Sequence, residues 1–248
     1  MIDIIFNNLD NPIGLVLALV AFLAAIYFAI IPHEIAHALV AKWNGDDTAK
    51  NMGRLSMNPL AHLDIVGFIM LLLVGFGYAK PVPVNPNNFS NPRKGMFLVS
   101  IAGVTYNIIA SFVSYFFCAL LLFFQLNFWS LSSDLAVYTF SFFYSFFLTS
   151  SKINILLFLF NILPIGALDG LKILASFTRP GNTVVNFLYR YGNYILMMLI
   201  ILHIATDRFA EYEIVQYFDL LGLYIYNVTN YIFGFYSWLF GLIFGFGA

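Results

Sequence analysis

The chain has 248 residues, of which 61% are hydrophobic and 9% charged, with a formal net charge of −1 and a mean hydropathy of +0.87. Soluble domains carry about 25% charged residues, so this composition excludes a soluble protein and predicts one that is embedded in the lipid bilayer. The near-neutral charge without any run of Lys or Arg argues against nucleic acid as a partner. The single cysteine, Cys118, excludes an intramolecular disulfide.

We predict an all-α polytopic membrane protein with about six membrane-embedded helical segments, forming one domain over residues 1–248. The core of that domain is expected at about 12–170, with additional C-terminal helices at about 183–247. The N-terminus carries no Lys or Arg before Lys42, unlike a secretory signal, so the first apolar run is expected to remain as a span. In chain order, the apolar runs are Pro12 to about Val40, Ile65 to Gly77, Gly95 to Leu126, roughly Leu135 to Leu163, Val184 to Ala205 and Phe218 to Phe246.

The stretch from Lys42 to Pro92 differs from the rest because it holds most of the turn-forming prolines and several Asn and Gly. Its apolar island, residues 65–77, is short for a full crossing and favours a re-entrant or interfacial segment. Residues Thr48 to Met57 are predicted to form a small β-like element at the membrane surface, on which an extended substrate would pair. The alternative for these residues is a simple connecting hairpin.

The motif His33-Glu34-Ile35-Ala36-His37 carries the chemistry of the chain. Two histidines four positions apart on a helix share one face and can bind the same divalent metal, while Glu34 lies close enough to move a proton. Ionisable side chains in or near a span cost on the order of 3 kcal/mol each, so three of them on one helix indicate a function. Hydrolytic zinc sites hold three protein ligands and leave a fourth position for water.

Asp169 is the best candidate for the third ligand because an apolar run ends just before it in a proline-interrupted stretch. Its alternative role is an ordinary helix-capping aspartate at a membrane boundary. Asp64 is the runner-up ligand, beside His62. Pro59 and the neighbouring asparagine indicate a loop there, so a supporting role is favoured for both residues.

The two motifs together, His33-Glu34-x-x-His37 and Asn161-x-x-Pro164-x-x-x-x-Asp169-Gly170, resemble the site-2 protease family of intramembrane zinc metalloproteases. The resemblance covers about the first two-thirds of the chain and is to the small prokaryotic branch without an appended domain. It also extends to residues 53–59, 79–86 and 102–107. The chain differs in having Val104 and Gly166-Ala167 where the family commonly has prolines, which changes backbone stiffness near the site.

The resemblance implies that His33, His37 and Asp169 hold one Zn²⁺ ion and that Glu34 activates a water on it. The reaction implied is hydrolysis of peptide bonds in or near the transmembrane segments of membrane proteins, with single-span substrates expected. Asn107 and Asn161 are candidates for binding the developing oxyanion or the substrate backbone. For each asparagine, the alternative is a buried amide that joins two helices.

Lys and Arg cluster in two segments, which places the active site toward the cytoplasmic side of a multi-pass protein of the cell membrane. The two sets are Lys42, Lys50, Arg54, Lys80, Arg93 and Lys94, and then Lys172, Arg179 and Arg190. The rival interpretation is a transporter or metal-permeation protein that uses the His-Glu-His face as a cation site. That interpretation requires a continuous polar path across the membrane, and the sequence offers few residues for one.

Overall fold

A computed structural model describes residues 11–74, 77–208 and 218–245 of the chain. Within these residues every regular element is helical, so the predicted all-α class is confirmed. A short 3₁₀ turn, Pro86–Asn88, lies between α4 and α5. The helices are α1 (Pro12–Trp43), α2 (Thr48–Asn51), α3 (Pro59–His62), α4 (Ile65–Val74), α5 (Pro92–Asn127), α6 (Asp134–Asn161), α7 (Asp169–Phe177), α8 (Thr183–Arg208) and α9 (Leu220–Phe244).

Four of the described helices are long and apolar enough to cross a bilayer, namely α1, α5, α6 and residues Thr183–Thr206 of α8. Helix α9 has 25 residues, enough for a crossing, but is not among these four. Helix α4 has only 10 residues, about half the length that the hydrocarbon core requires. The predicted apolar island at 65–77 therefore contains a helix too short to span, while its residues 75 and 76 lie outside the described part.

Helices α1, α5 and α6 pack together as the core of the protein, and α7 packs against α5. The face of α1 toward this core is made of small residues, because Ala25, Ala29 and Ala38 are all 0% exposed. Small side chains at an interface let the backbones of membrane helices approach each other closely. The close approach brings the His-Glu-His motif of α1 against the first half of α5.

Pro32 lies inside α1, directly before the motif. Proline has no amide N–H, so the carbonyl of Phe28 has lost its partner in the helical hydrogen-bond ladder. The hydroxyl of Tyr106 on α5 donates to this carbonyl at 2.6 Å. The bond fixes α1 to α5 one turn before His33, where the ladder is interrupted.

The β-like element predicted over Thr48–Met57 is wrong. Residues Thr48–Asn51 form the helical turn α2, and the described residues after it form turns rather than a strand. The physical reason is Asp46, whose carboxylate accepts hydrogen bonds from both the backbone N–H and the hydroxyl of Thr48. Such a side-chain acceptor favours a helical start over an extended strand.

Residues 79–85, which we call the proline strap, run without regular secondary structure toward α5. One end is held by the N–H of Lys80, which donates to the carbonyl of His62 at 2.8 Å, and by Arg54, which donates to the carbonyls of Ala61 and Lys80. At the other end, the N–H of Asn85 donates to Asp46 at 2.7 Å. The strap is therefore fixed on both sides of its two prolines.

Asp46 is 0% exposed and also accepts a bond from Asn88 at 2.7 Å. Burial raises the pKa of Asp46, but hydrogen bonds from Thr48, Asn85 and Asn88 outweigh it and hold the pKa below the ordinary range. This carboxylate therefore contributes stability above the ordinary aspartate pKa of about 4, and the contribution is lost as the pH falls through the lowered folded-state pKa.

Replacement of Asp46 by Asn is expected to lower the free energy of unfolding by about 2 kcal/mol or more, since an amide cannot accept all of these bonds and leaves buried donors unpaired. Thermal unfolding of purified protein at pH 7 measures the loss. Repetition at falling pH should bring wild type and variant closer together. The control is Asp47→Asn at the neighbouring aspartate, whose side chain is 54% exposed. Equal stability of wild type and Asp46→Asn at pH 7 would refute this role.

Candidate active site

Three side chains from two helices meet in the core at the level of the motif. The Nε2 atoms of His33 and His37 lie 3.0 Å apart, and Oδ2 of Asp169 lies 3.6 Å from the first and 3.0 Å from the second. All three residues are buried, with exposed fractions of 6%, 7% and 4%. Among the described residues, these three form the cluster of His, Cys, Asp or Glu side chains that are close enough to share a metal ion.

The other ring nitrogen of each histidine is bonded to an oxygen atom. Nδ1 of His37 donates to the backbone carbonyl of Val99 at 2.7 Å, and Nδ1 of His33 lies 2.5 Å from Oδ1 of Asn107. An oxygen acceptor at Nδ1 places the proton there and leaves Nε2 with a lone pair. Both histidines are thus held in the tautomer that a metal ligand requires.

The donor set fits a zinc ion. Two imidazole lone pairs and a carboxylate oxygen point at one another at 3.0–3.6 Å, which is repulsive unless a cation lies between them. Tetrahedral zinc with bonds of about 2.0–2.1 Å places neighbouring ligand atoms about 3.3 Å apart. The observed separations match that geometry, and three protein ligands leave one position open.

Asp169 is the first residue of α7, so its carboxylate projects from the start of that helix. Its Oδ1 is bonded to the ammonium of Lys172 at 3.0 Å, which leaves Oδ2 for the histidines. The positive charge of this ammonium favours the ionised form of the carboxylate. The side chain is therefore an ionised ligand candidate.

The loop before Asp169 is held by α8. The backbone N–H of Ala167 donates to Oδ1 of Asn193 at 2.9 Å. Gly166 has a positive φ of 60°, and any Cβ added to Gly192 would lie 2.3 Å from the nitrogen of Gly166. Two glycines thus allow α8 to contact the loop directly, and the Asn193 bond restrains the loop before Asp169.

Glu34 lies on α1 between the two histidines and is half-buried. Its Oε2 accepts the backbone N–H of Val82, in the middle of the proline strap, at 3.1 Å. Pro81 and Pro83 have no backbone N–H, so within these three residues only Val82 can donate a backbone hydrogen bond to Glu34. The strap therefore lies across the carboxylate that the sequence predicts as the catalytic base.

Comparison with known proteins agrees with this arrangement. The sequence profile of peptidase family M50, the site-2 protease family, matches residues 21–203. The chain belongs to peptidase family M50. A protein of Bacillus subtilis (strain 168), named "Putative zinc metalloprotease YwhC", is 43% identical over 150 residues, which are 60% of this chain and 65% of that protein. The match thus spans just under two thirds of the relative's length. No solved structure matched the chain.

Membership of family M50 confirms the predicted resemblance and indicates zinc as the cofactor. The residues that the sequence singled out as ligands, His33, His37 and Asp169, are those that the structure brings together. The other candidates lie elsewhere. Asp64 accepts the N–H of Gly67 at 2.9 Å as a cap of α4, and His62 is 1% exposed and bonded to the carbonyl of Ser56 at 3.0 Å. Both belong to the segment around α3, and their supporting role stays a prediction.

The two asparagines of this M50 chain have different surroundings. Asn107 is 0% exposed, and its amide donates to Asn154 at 2.8 Å and to the carbonyl of Ala29 at 3.3 Å. Of the two roles left open for Asn107, the geometry favours the one that joins helices. Asn161 is half-buried and donates to the carbonyl of Leu157 at 3.0 Å within its own helix. Its oxyanion role stays a prediction.

Gly103 is a residue whose role the sequence did not reveal. A Cβ at this position of α5 would lie 2.4 Å from Nε2 of His37 and 2.6 Å from Cε1 of His33. Glycine therefore allows α5 to lie directly against the histidine pair. The sequence signal available for this role was that Gly103 lies four positions before Asn107, in the segment 102–107.

Replacement of Gly103 by Ala is expected to displace a histidine or separate α1 from α5, at a cost of about 1–3 kcal/mol in stability. Zinc content per protein molecule, measured on the purified variant, should fall well below that of wild type. The matched control is Gly234→Ala on α9, where an added Cβ meets nothing within 4 Å. Full zinc content and unchanged stability in Gly103→Ala would contradict the close packing.

Proposed function

We propose that this chain is an intramembrane zinc metalloprotease that hydrolyses peptide bonds in or near the transmembrane segments of membrane proteins. The observation that carries the proposal is the convergence of Nε2 of His33, Nε2 of His37 and Oδ2 of Asp169 within 3.0–3.6 Å. Glu34 on the same helix supplies a carboxylate beside them. Membership of family M50 supports peptide hydrolysis as the reaction.

In the proposed mechanism, His33, His37 and Asp169 hold the metal through the atoms that already converge. A bound zinc ion supplies Lewis-acid polarisation of a peptide carbonyl and acidification of water. Glu34 takes the proton of the attacking water and returns it to the leaving amine. Because Glu34 accepts the N–H of Val82, the strap keeps the carboxylate from rotating freely. Asn161 is the proposed amide donor to the oxyanion.

The setting of the reaction follows from the helices. Four apolar helices support a multi-pass protein of the cell membrane, and the Lys and Arg distribution supports a site toward the cytoplasm. A helical substrate has its carbonyls shielded by its own hydrogen bonds, so cleavage requires local unwinding. Single-span membrane proteins, which unwind without disturbing a bundle, are the proposed substrates. The domain is proposed to comprise residues 1–248.

The proposal is tested by zinc analysis of the purified full chain together with cleavage of single-span candidate proteins in lipid vesicles. We expect one zinc ion per molecule and cleavage that stops when a chelator removes the metal. Return of activity on addition of Zn²⁺ completes the test. Protein that binds no zinc, or that binds it without cleaving any of a panel of membrane substrates, would contradict the proposal.

The rival function, cation transport, predicts metal uptake into vesicles rather than peptide cleavage. Beyond the cluster, polar side chains between α5 and α6 are bonded to one another, as in the pairs Ser111 with Ser151 and Ser114 with Ser150. Groups paired in this way join helices rather than line a path for ions. Measurement of zinc flux in the same vesicles separates the two functions.

A further inference from the structure

Asn154 lies in the last third of α6, is 0% exposed and lies outside the two motifs of the family. Its side-chain amide makes one hydrogen bond through its nitrogen and one through its oxygen. The nitrogen Nδ2 donates to the backbone carbonyl of Ser150 at 2.8 Å, and the oxygen Oδ1 accepts from Nδ2 of Asn107 at 2.8 Å. Asn107 in turn contacts Nδ1 of His33 through its own oxygen.

The carbonyl of Ser150 determines which group donates and which accepts at each step of this series of hydrogen bonds. A backbone carbonyl only accepts, so the carbonyl of Ser150 requires the nitrogen of Asn154 to face it. The oxygen of Asn154 then faces Asn107 and requires that residue's nitrogen. The oxygen of Asn107 is left for His33, whose Nδ1 must carry the proton. The lone pair of His33 is thereby directed to Nε2, where the metal binds.

We propose that Asn154 is a positioning residue for the zinc site, which fixes the tautomer of His33 through Asn107. The inference rests on the proposed function, since it assigns His33 as a zinc ligand. Without Asn154, the amide of Asn107 is restrained by the carbonyl of Ala29 at 3.3 Å, beyond the usual 2.7–3.2 Å of such bonds. A flipped amide presents N–H groups to Nδ1 of His33 and moves the imidazole proton to Nε2, where it competes with zinc.

Three variants of the full chain test this role. Asn154→Leu keeps the approximate volume and removes both bonds. Asn154→Asp, neutral in this buried site, offers one carbonyl to Asn107 and one hydroxyl to Ser150 and so reproduces both bonds. Ser151→Ala is the matched control, because Ser151 is 0% exposed on the same helix and bonds Ser111 instead.

Zinc affinity, measured by competition with a chromophoric chelator, is expected to fall about 10–100-fold in Asn154→Leu, the range typical of residues that orient metal-bound histidines. Asn154→Asp and Ser151→Ala should stay within about threefold of wild type because the chain of bonds to His33 persists. A second readout is the visible absorption spectrum of the Co²⁺-loaded protein, which reports ligand geometry. It should change in Asn154→Leu and match wild type in the other two.

The outcomes separate the inference from the proposed function. Wild type that binds zinc and cleaves substrate, with Asn154→Leu binding as tightly and giving the same Co²⁺ spectrum, overturns the role of Asn154 alone. Wild type that binds no zinc overturns both. If Asn154→Leu does not fold, the folded Asn154→Asp decides: wild-type affinity supports the inference, and affinity weakened as much as predicted for Asn154→Leu overturns it.

Discussion

Glu34→Gln is expected to lower the rate of peptide cleavage by at least about 10²-fold, because general acid–base catalysis contributes about 10²–10⁴-fold and an amide cannot take a proton from water. Zinc content should stay at the wild-type level, since the ligand candidates are His33, His37 and Asp169. The glutamine oxygen can still accept the N–H of Val82, so the strap is expected to keep its position. The measurement is the initial rate of substrate cleavage in vesicles, together with zinc analysis of the same preparation.

The control for Glu34→Gln is Asp134→Asn, which makes the same chemical change at an exposed position in the first turn of α6. Its cleavage rate should equal that of wild type. A Glu34→Gln protein that loses its zinc would show that Glu34 supports the metal rather than the proton transfer. Cleavage near the wild-type rate would remove Glu34 from the mechanism.

Asp169→Asn is expected to weaken zinc binding by more than about 100-fold, beyond the range for residues that only orient a ligand. The substitution replaces the negative charge with a neutral amide and presents either a weaker oxygen ligand or an N–H to the metal. It also breaks the ion pair with Lys172. Zinc affinity by chelator competition measures the loss, and cleavage should fall in parallel.

The matched control is Asp219→Asn at the start of α9, where the carboxylate accepts the N–H of Gly222 at 2.7 Å. Asparagine is an equally good helix cap, and Asp219, which also bonds His203 at 2.7 Å, is not part of the metal cluster, so zinc affinity should remain near wild type. Unchanged zinc affinity in Asp169→Asn would mean that the third ligand lies elsewhere.

The sequence predicted the ligand candidates because their residue types and spacing are constrained by metal chemistry. His33 and His37 had to share a face of α1, and Asp169 was the acid at the end of another apolar run. The long helices were predictable for a similar reason, since a bilayer imposes both length and hydrophobicity. Both inferences use rules that act within a short stretch of chain.

What the sequence did not predict depends on contacts between distant residues. Asn154 and Asn193 look like ordinary polar residues in apolar helices until the structure places them beside Asn107 and Ala167. The β-like element was predicted from position alone, and the hydrogen bonds from Thr48 to Asp46 that favour a helical turn were missed. Gly103 lies in a segment that the sequence singled out, but the sequence did not show that the histidines lie against it. Each of these depends on which helices pack together.

The contact of α8 with the loop before Asp169 has a consequence for biosynthesis. Asn193, which restrains Ala167, lies 24 positions after Asp169 in the chain, within the helix that follows α7. During synthesis His33 and His37 are made first, Asp169 is made much later, and Asn193 is made last. We therefore expect the nascent chain to reach its full zinc affinity only after α8 has inserted.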